Sequence, residues 1–127
     1  HAKNLFVKDK KGRLFLVTAR EDARLDLKRL HEALGAQGRV SFGSADQLRE
    51  ALGIEPGSVT PFAAMNDAAG RVTVVLQAAL MDTPVQNFHP LVNTATTTVS
   101  AADLVRFLEA VGHPPRILVL PEVPEGE

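Results

Sequence analysis

Two runs near the start of the chain alternate with a period of two. Leu5 and Val7 alternate with Phe6 and Lys8, and Leu14, Leu16 and Thr18 alternate with Phe15 and Val17. Side chains of a strand point to opposite faces in turn, so the pattern predicts strands over Asn4 to Lys8 and Arg13 to Ala19. Lys10-Lys11-Gly12 is the turn of a hairpin. Both faces of the pair carry apolar residues, which implies cover on both sides. The period then changes. Leu27, Leu30 and Leu34 recur at three and four residues, predicting a helix over Leu25 to Leu34 that Gly35 stops.

Arg39 to Phe42 reads as a short strand. Ser44 and Gln47 form a capping box, in which each side chain satisfies a free backbone amide of the other, and the helix they open ends at Leu52-Gly53. Ile54 to Pro61 is loop. Phe62 to Met65 is expected as a strand, Asn66 to Gly70 as a turn, and the β-branched run Val72 to Leu76 as a strand. Ala78 to Met81 suits one helical turn, His89-Pro90 lies in an extended segment, and Thr96 to Val99 is β-prone. Ser100 and Asp103 open a third helix with Leu104, Phe107, Leu108 and Val111 on its apolar face and Gly112 after its end. Ile117 to Leu120 is a last apolar strand. Strands and helices mix without a regular β-α-β alternation. The expectation is one α+β domain over residues 1–120, a mixed β-sheet or part-open barrel flanked by about three helices, with a flexible, proline-rich acidic tail over 121–127.

Composition narrows the function without naming it. A chain of 127 residues with 45 % hydrophobic content is the size and character of one globular domain. No apolar run approaches the roughly 18 residues that span a bilayer, and no signal-peptide pattern opens the sequence. The absence of cysteine removes disulfides, thiolate metal sites and a cysteine nucleophile, and fits a reducing, cytoplasmic setting. The net charge of −1 is uneven: residues 1–30 hold nine Lys/Arg against four acids, +5, which leaves −6 for the rest. Such an end suits local contact with a polyanion or an ordinary solvated surface, but not general nucleic-acid binding. Six Phe without Tyr or Trp give no extended platform for stacking bases.

Standard catalytic motifs are lacking: there is no P-loop, no G-x-G-x-x-G, no G-x-S-x-G and no H-E-x-x-H. The four histidines are scattered without ligand spacing, so a metal site is not expected. Three stretches remain. Lys3-Asn4 opens a strand otherwise made largely of apolar residues, where a lysine offers three donors and a point charge to a carbonyl or phosphate oxygen, or simply extends to solvent. Gly57-Ser58-Val59-Thr60-Pro61-Phe62 is an uncharged loop bracketed by glycine and proline. It is either an ordinary turn or a nest of backbone amides able to meet an ester or an oxyanion. His89 precedes Pro90, which favours extended backbone and fixes where the ring points, in a pocket or in the core.

Together these stretches resemble a known family. Lys3-Asn4-Leu5-Phe6-Val7-Lys8-Asp9-Lys10-Lys11-Gly12, then Gly57 to Ala63 followed by Asn66-Asp67, then His89-Pro90-Leu91-Val92-Asn93-Thr94-Ala95-Thr96 occur in the order and rough spacing of the YbaK/ProRS-associated aminoacyl-tRNA editing domains. The likeness is greatest to the free-standing ProX (PrdX) branch and runs through nearly the whole chain. It implies trans-editing: hydrolysis of the ester joining a wrong amino acid to tRNA, in this branch alanine on tRNA(Pro). A pocket built for proline cannot exclude the smaller alanine, because a few missing methylenes supply only about 1–3 kcal/mol of discrimination.

By the same resemblance Lys3 would hold the carbonyl or phosphate side of the substrate and Asn4 would orient the aminoacyl group. Gly57, Ser58, Val59, Thr60 and Pro61 would seat the terminal adenosine and ester, and His89 would line the amino-acid pocket or act as general base. No cofactor, metal or protein nucleophile is implied. Water attacks with help from the terminal ribose hydroxyl, and loop amides or Lys3 stabilise the oxyanion. The implied partners are the acceptor end of mischarged tRNA(Pro) and prolyl-tRNA synthetase or other translation factors, with no membrane. Family members carry a further strand and helix upstream of the Lys-Asn signature, whereas this sequence starts at His1. Rival readings are a deacylase for cysteine or another wrong amino acid, and a module that binds tRNA or a synthetase without hydrolysis.

Overall fold

The two period-two runs form the middle of a sheet. In the computed structural model, which describes residues 2–82, 86–88 and 97–124, β1 (Lys3–Lys8) and β2 (Leu14–Ala19) pair antiparallel, with Phe6 opposite Leu16 and Val7 opposite Phe15. Gly12 takes a φ of 81° in the turn between them, a conformation that costs glycine little. Asp9 closes the turn. Its buried carboxylate accepts from the amides of Lys11 (3.0 Å), Arg13 (2.9 Å) and Gln37 (3.1 Å). Burial pushes that carboxyl up, but the three amides and the Arg13 guanidinium outweigh it and hold the group below its ordinary value.

The chain continues through α1 (Leu30–Leu34), β3 (Ser41–Phe42), α2 (Ala45–Leu52), β4 (Val72–Gln77), β5 (Gln86–Phe88), β6 (Thr97–Val99), α3 (Ala101–Ala110) and β7 (Arg116–Leu118). Single 3-10 segments cover Pro56–Ser58, Pro61–Asn66 and Ala78–Asp82. The main sheet runs β3-β1-β2-β4-β7. The pairs around β1 are antiparallel, while β2–β4 and β4–β7 are parallel. Strands β5 and β6 form a separate antiparallel pair. The fold is therefore the α+β domain expected, and of the two forms, mixed sheet or part-open barrel, it takes the open mixed sheet.

Apolar residues on both faces of the hairpin require two layers of cover. Phe6, Leu16, Val72, Val74 and Leu76 face α2, α3 and the Pro61–Asn66 segment, packing on Leu48, Leu52, Ala63, Ala64, Leu104 and Leu108. On the opposite face Val7, Phe15, Val17 and Val75 meet Leu30 and Leu34 of α1, with Leu120. Burying each such side chain contributes about 1.5–3 kcal/mol. Ser44 caps α2 as the sequence predicts, accepting from the Gln47 amide while the Gln47 side chain accepts from Ser44 N. Ser100 caps α3 at Asp103 N.

Two predicted elements are corrected. The helix expected over Leu25 to Leu34 forms only from Leu30, because the stretch before it is held otherwise. Leu25 bridges Glu122, Asp26 N donates to the Pro121 carbonyl (2.8 Å), and the Asp26 carboxylate accepts from Lys28 N (3.1 Å). Phe62 to Met65 is not a strand but part of the 3-10 segment Pro61–Asn66. Pro61 stands at its first turn, where a missing N–H costs nothing, and the Thr60 hydroxyl oxygen accepts from Phe62 N (3.4 Å). Phe62 then meets the Phe107 ring edge-on, centroids 5.3 Å apart. Pro121 to Val123, which the sequence assigns to the tail, run beside Arg24 to Asp26, with Val123 N donating to Arg24 O (2.8 Å) and Arg24 N to Glu122 Oε1 (2.9 Å).

Candidate functional site

Asn4 points to the sheet face that carries Phe6 and Leu16, as strand alternation requires. Thr18 is directly opposite it and donates its hydroxyl to Asn4 Oδ1 (2.8 Å), while Asn4 Nδ2 donates to Ala2 O (3.5 Å). Thr18 is fully buried, so the amide is held from beneath. Asn4 then forms the polar wall of a cleft of about 280 Å³, lined also by Phe6, Phe42, Gly43, Leu48, Pro56 and Val59. Two of the three sequence signatures, more than fifty residues apart, thus meet in one concavity.

Gly43 shapes that cleft and was not singled out from the sequence. A Cβ at this position would lie 2.4 Å from the Phe6 ring, so only glycine lets the link from β3 to α2 cross the ring closely. Its amide donates to Phe6 O (3.0 Å). The available signal was a glycine between an aromatic residue and a helix cap, Phe42-Gly43-Ser44.

The loop behaves differently residue by residue. Gly57 is exposed in the 3-10 segment Pro56–Ser58, lacks a positive φ, and a Cβ there would meet nothing within 4 Å. The fold itself therefore does not need glycine at 57. Ser58 N donates to Glu55 O (2.9 Å), so that amide is occupied within the loop's own turn. Val59 lines the cleft. Thr60 and Pro61 are buried and set the entry into the following 3-10 segment.

Lys3 takes the other face. Its ammonium donates to the Ala23 carbonyl, away from Asn4, because neighbours on a strand diverge. Ala23 belongs to a second, more polar cleft of about 220 Å³ with Arg20, Asp22, Gln77, Ala79 and Glu122, where Gln77 Oε1 accepts from Arg20 N (2.9 Å). Asn4, Pro56 and Val59 are brought together; Lys3 is not directed into the same cleft. The period-two pattern already contained that separation. His89 to Thr96 lie outside the described residues, so the third signature has no place in this geometry.

Asn66 and Asp67, the end of the second signature, support the framework. Asn66 Nδ2 donates to Leu52 O (2.9 Å) at the C-terminus of α2. Asp67 is buried, accepts from Val72 N (2.8 Å), and faces His113 Nε2 at 3.0 Å. Burial pushes its carboxyl up, but the His113 hydrogen bond and the Val72 and Arg71 amides outweigh it and hold the group below the usual value. Among the described residues no three His, Asp or Glu side chains converge as a metal site, and no helix is long and apolar enough to cross a membrane.

Comparison with known proteins finds relatives over most of the chain. A family model described as the aminoacyl-tRNA editing domain matches residues 1–107. The chain is 38 % identical over 112 residues to the prolyl-tRNA editing protein ProX of Acetoanaerobium sticklandii, covering 87 % of this chain and 68 % of that protein. It is 42 % identical over 118 residues to the prolyl-tRNA synthetase associated domain-containing protein 1 of Danio rerio, covering 91 % of this chain and 64 % of that one. It thus spans about two thirds of each relative's length. Among solved structures, a protein proposed to be a trans-editing enzyme for prolyl tRNA synthetase superposes with a TM-score of 0.69 at 20 % identity, over 94 % of this chain and 70 % of that one, a likeness of fold.

Proposed function

The chain belongs to the aminoacyl-tRNA editing domain family, and from that premise we propose that it is an aminoacyl-tRNA deacylase that removes alanine from mischarged tRNA(Pro). The observation that carries the reading is the cleft in which Asn4 meets Pro56 and Val59. It has one fixed amide on an otherwise apolar wall, which suits a small apolar aminoacyl group. Asn4 Oδ1 is held by Thr18, which leaves donor capacity on Nδ2 for the ester carbonyl or ribose. Water attacks the ester carbonyl, assisted by the neighbouring ribose hydroxyl, without a metal or a protein nucleophile. The role the resemblance gives Lys3 requires its ammonium to leave the Ala23 carbonyl and reach the developing oxyanion from the other face of the sheet. His89 is assigned to the pocket wall, where it limits the size of the amino acid. The cellular partners on this reading are tRNA(Pro) and the translation machinery of the cytoplasm, including prolyl-tRNA synthetase.

The test is hydrolysis of tRNA(Pro) charged separately with alanine, cysteine and proline, with and without a chelator. Loss of alanine alone, unaffected by chelation and lowered at least tenfold in Lys3→Ala, is the expected result. Preferential loss of cysteine moves the substrate assignment, and no loss of any ester reduces the chain to a binding module. A Lys3→Ala protein with the wild-type rate removes lysine from the mechanism.

A further inference from the structure

Along β1 the residues that share the face of the cleft are Asn4, Phe6 and then Lys8. The line of the cleft therefore leads, within about 13 Å at 3.3 Å per residue, to the tip of the first hairpin. The tip is basic. Lys8, Lys10, Lys11 and Arg13 come from the hairpin, and Arg39 joins them because Lys10 N donates to Gln37 O (3.0 Å) and Ser41 pairs with Lys8. The carboxylate within this group is Asp9, buried and occupied by three backbone amides.

Five arginines elsewhere are matched to acids: Arg20 with Asp22, Arg29 with Glu32, Arg49 with Asp46 and Glu55, Arg71 with Glu50, and Arg106 with Asp103, while Arg116 donates to the Leu34 carbonyl. At the tip only Arg13 approaches a carboxylate, that of Asp9 at 4.0 Å. Among the described residues, Lys8, Lys10, Lys11 and Arg39 have none within ion-pair distance. Phe42 lines the same cleft from the edge strand β3, where it pairs opposite Val7, and is 59 % exposed, a large aromatic surface that the core does not use.

We propose that this face and the edge strand β3 beside it form a docking track for the RNA backbone, with Phe42 meeting an unstacked base at the rim of the cleft and Lys8, Lys10, Lys11 and Arg39 meeting phosphates farther along the acceptor arm. The inference rests on the aminoacyl-tRNA reading above and adds to it the surface that holds the RNA. Unpaired cations bind phosphates with release of counterions, and an exposed ring stacks on any base, so the track reads backbone and strand shape rather than sequence. It also gives much of the uneven charge a location: Lys8, Lys10, Lys11 and Arg13 against Asp9 make +3 of the +5 in residues 1–30, at one end of the sheet.

The experiment measures binding of uncharged tRNA(Pro) across a salt series, independently of hydrolysis. The triple variant Lys10→Gln/Lys11→Gln/Arg39→Gln is compared with the charge-matched control Lys28→Gln/Arg29→Gln/Arg106→Gln. The tip variant is expected to bind about tenfold more weakly at 0.1 M salt and to lose about 2–3 from the slope of log K against log salt, while the control keeps the wild-type slope. Phe42→Ala is expected to weaken binding without changing the slope. Equal loss in the two triple variants, or wild-type binding in the tip variant, overturns the track. The two ideas fail separately. Wild-type protein that binds through the tip but hydrolyses no ester ends the deacylase assignment and leaves the track standing. Normal hydrolysis and binding by the tip variant does the reverse, and leaves the cations to an acidic protein partner.

Discussion

Asp67 and His113 are 46 residues apart in sequence, yet their contact ties the start of β4 to the turn after α3. The Asp67 carboxylate fixes the first amide of β4 through Val72 N and reaches His113 after α3, whose Nδ1 lies 3.2 Å from Val111 O. Removing the carboxylate charge leaves buried donors poorly matched, at a cost of about 1–3 kcal/mol. The pH dependence has a definite sign. A carboxyl held lower in the fold than in the unfolded chain, where aspartate titrates near about 3.9, contributes stability above that value and loses it as pH falls through the folded value. Asp9 and Asp67 both act in this direction. Thermal unfolding from pH 7 to pH 2 should show stability falling below about pH 4. In Asp67→Asn the Tm at pH 7 should be lower and the acid limb shallower. An unchanged Tm and acid limb would show that the pair is a bystander.

At the scale of elements, what the sequence revealed depended on the range of the interactions. The caps of α2 and α3 were legible because Ser44 with Gln47, and Ser100 with Asp103, act over three residues. The hairpin was legible from its period. The shortened α1 was not, because Arg24 to Asp26 are claimed by Pro121 to Val123, nearly a hundred residues away. Nor was the Pro61–Asn66 segment: its four apolar residues read as a strand until the packing of Phe62 on Phe107 is known. The loop before that segment offers a clean test. Since a side chain at 57 meets open space and an ordinary φ, Gly57→Val should fold with an unchanged Tm. If substrate approaches the backbone there, deacylation should fall about tenfold or more, equivalent to about 1.4 kcal/mol of transition-state stabilisation. Full activity in Gly57→Val would move the substrate seat away from the loop and onto Asn4 and Val59 alone.

The whole molecule is a sheet covered on both faces, and each face holds a different part of the candidate chemistry. One carries Asn4, Val59 and the line towards Lys8, while the other carries the Lys3 contact with Ala23 and the cleft closed by Glu122. From the sequence the signatures could be found but not placed relative to one another, since placement depends on pairing between distant strands and on strand parity. The same long-range pairing makes Pro121 to Val123 part of the framework. Removing residues after Leu120 takes away the Asp26–Pro121, Val123–Arg24 and Arg24–Glu122 hydrogen bonds together. Each contributes about 0.5–1.5 kcal/mol when well formed, less at the surface. A chain ending at Leu120 should therefore unfold several degrees lower than the 127-residue protein, with faster amide exchange over Arg24 to Asp26. Because Ala23 adjoins that stretch and accepts from Lys3, any defect in deacylation should follow the loss of order at Arg24 to Asp26 and be relieved at lower temperature. Equal Tm values and equal exchange in the two proteins would show that the segment after Leu120 only lies alongside the fold without stabilising it.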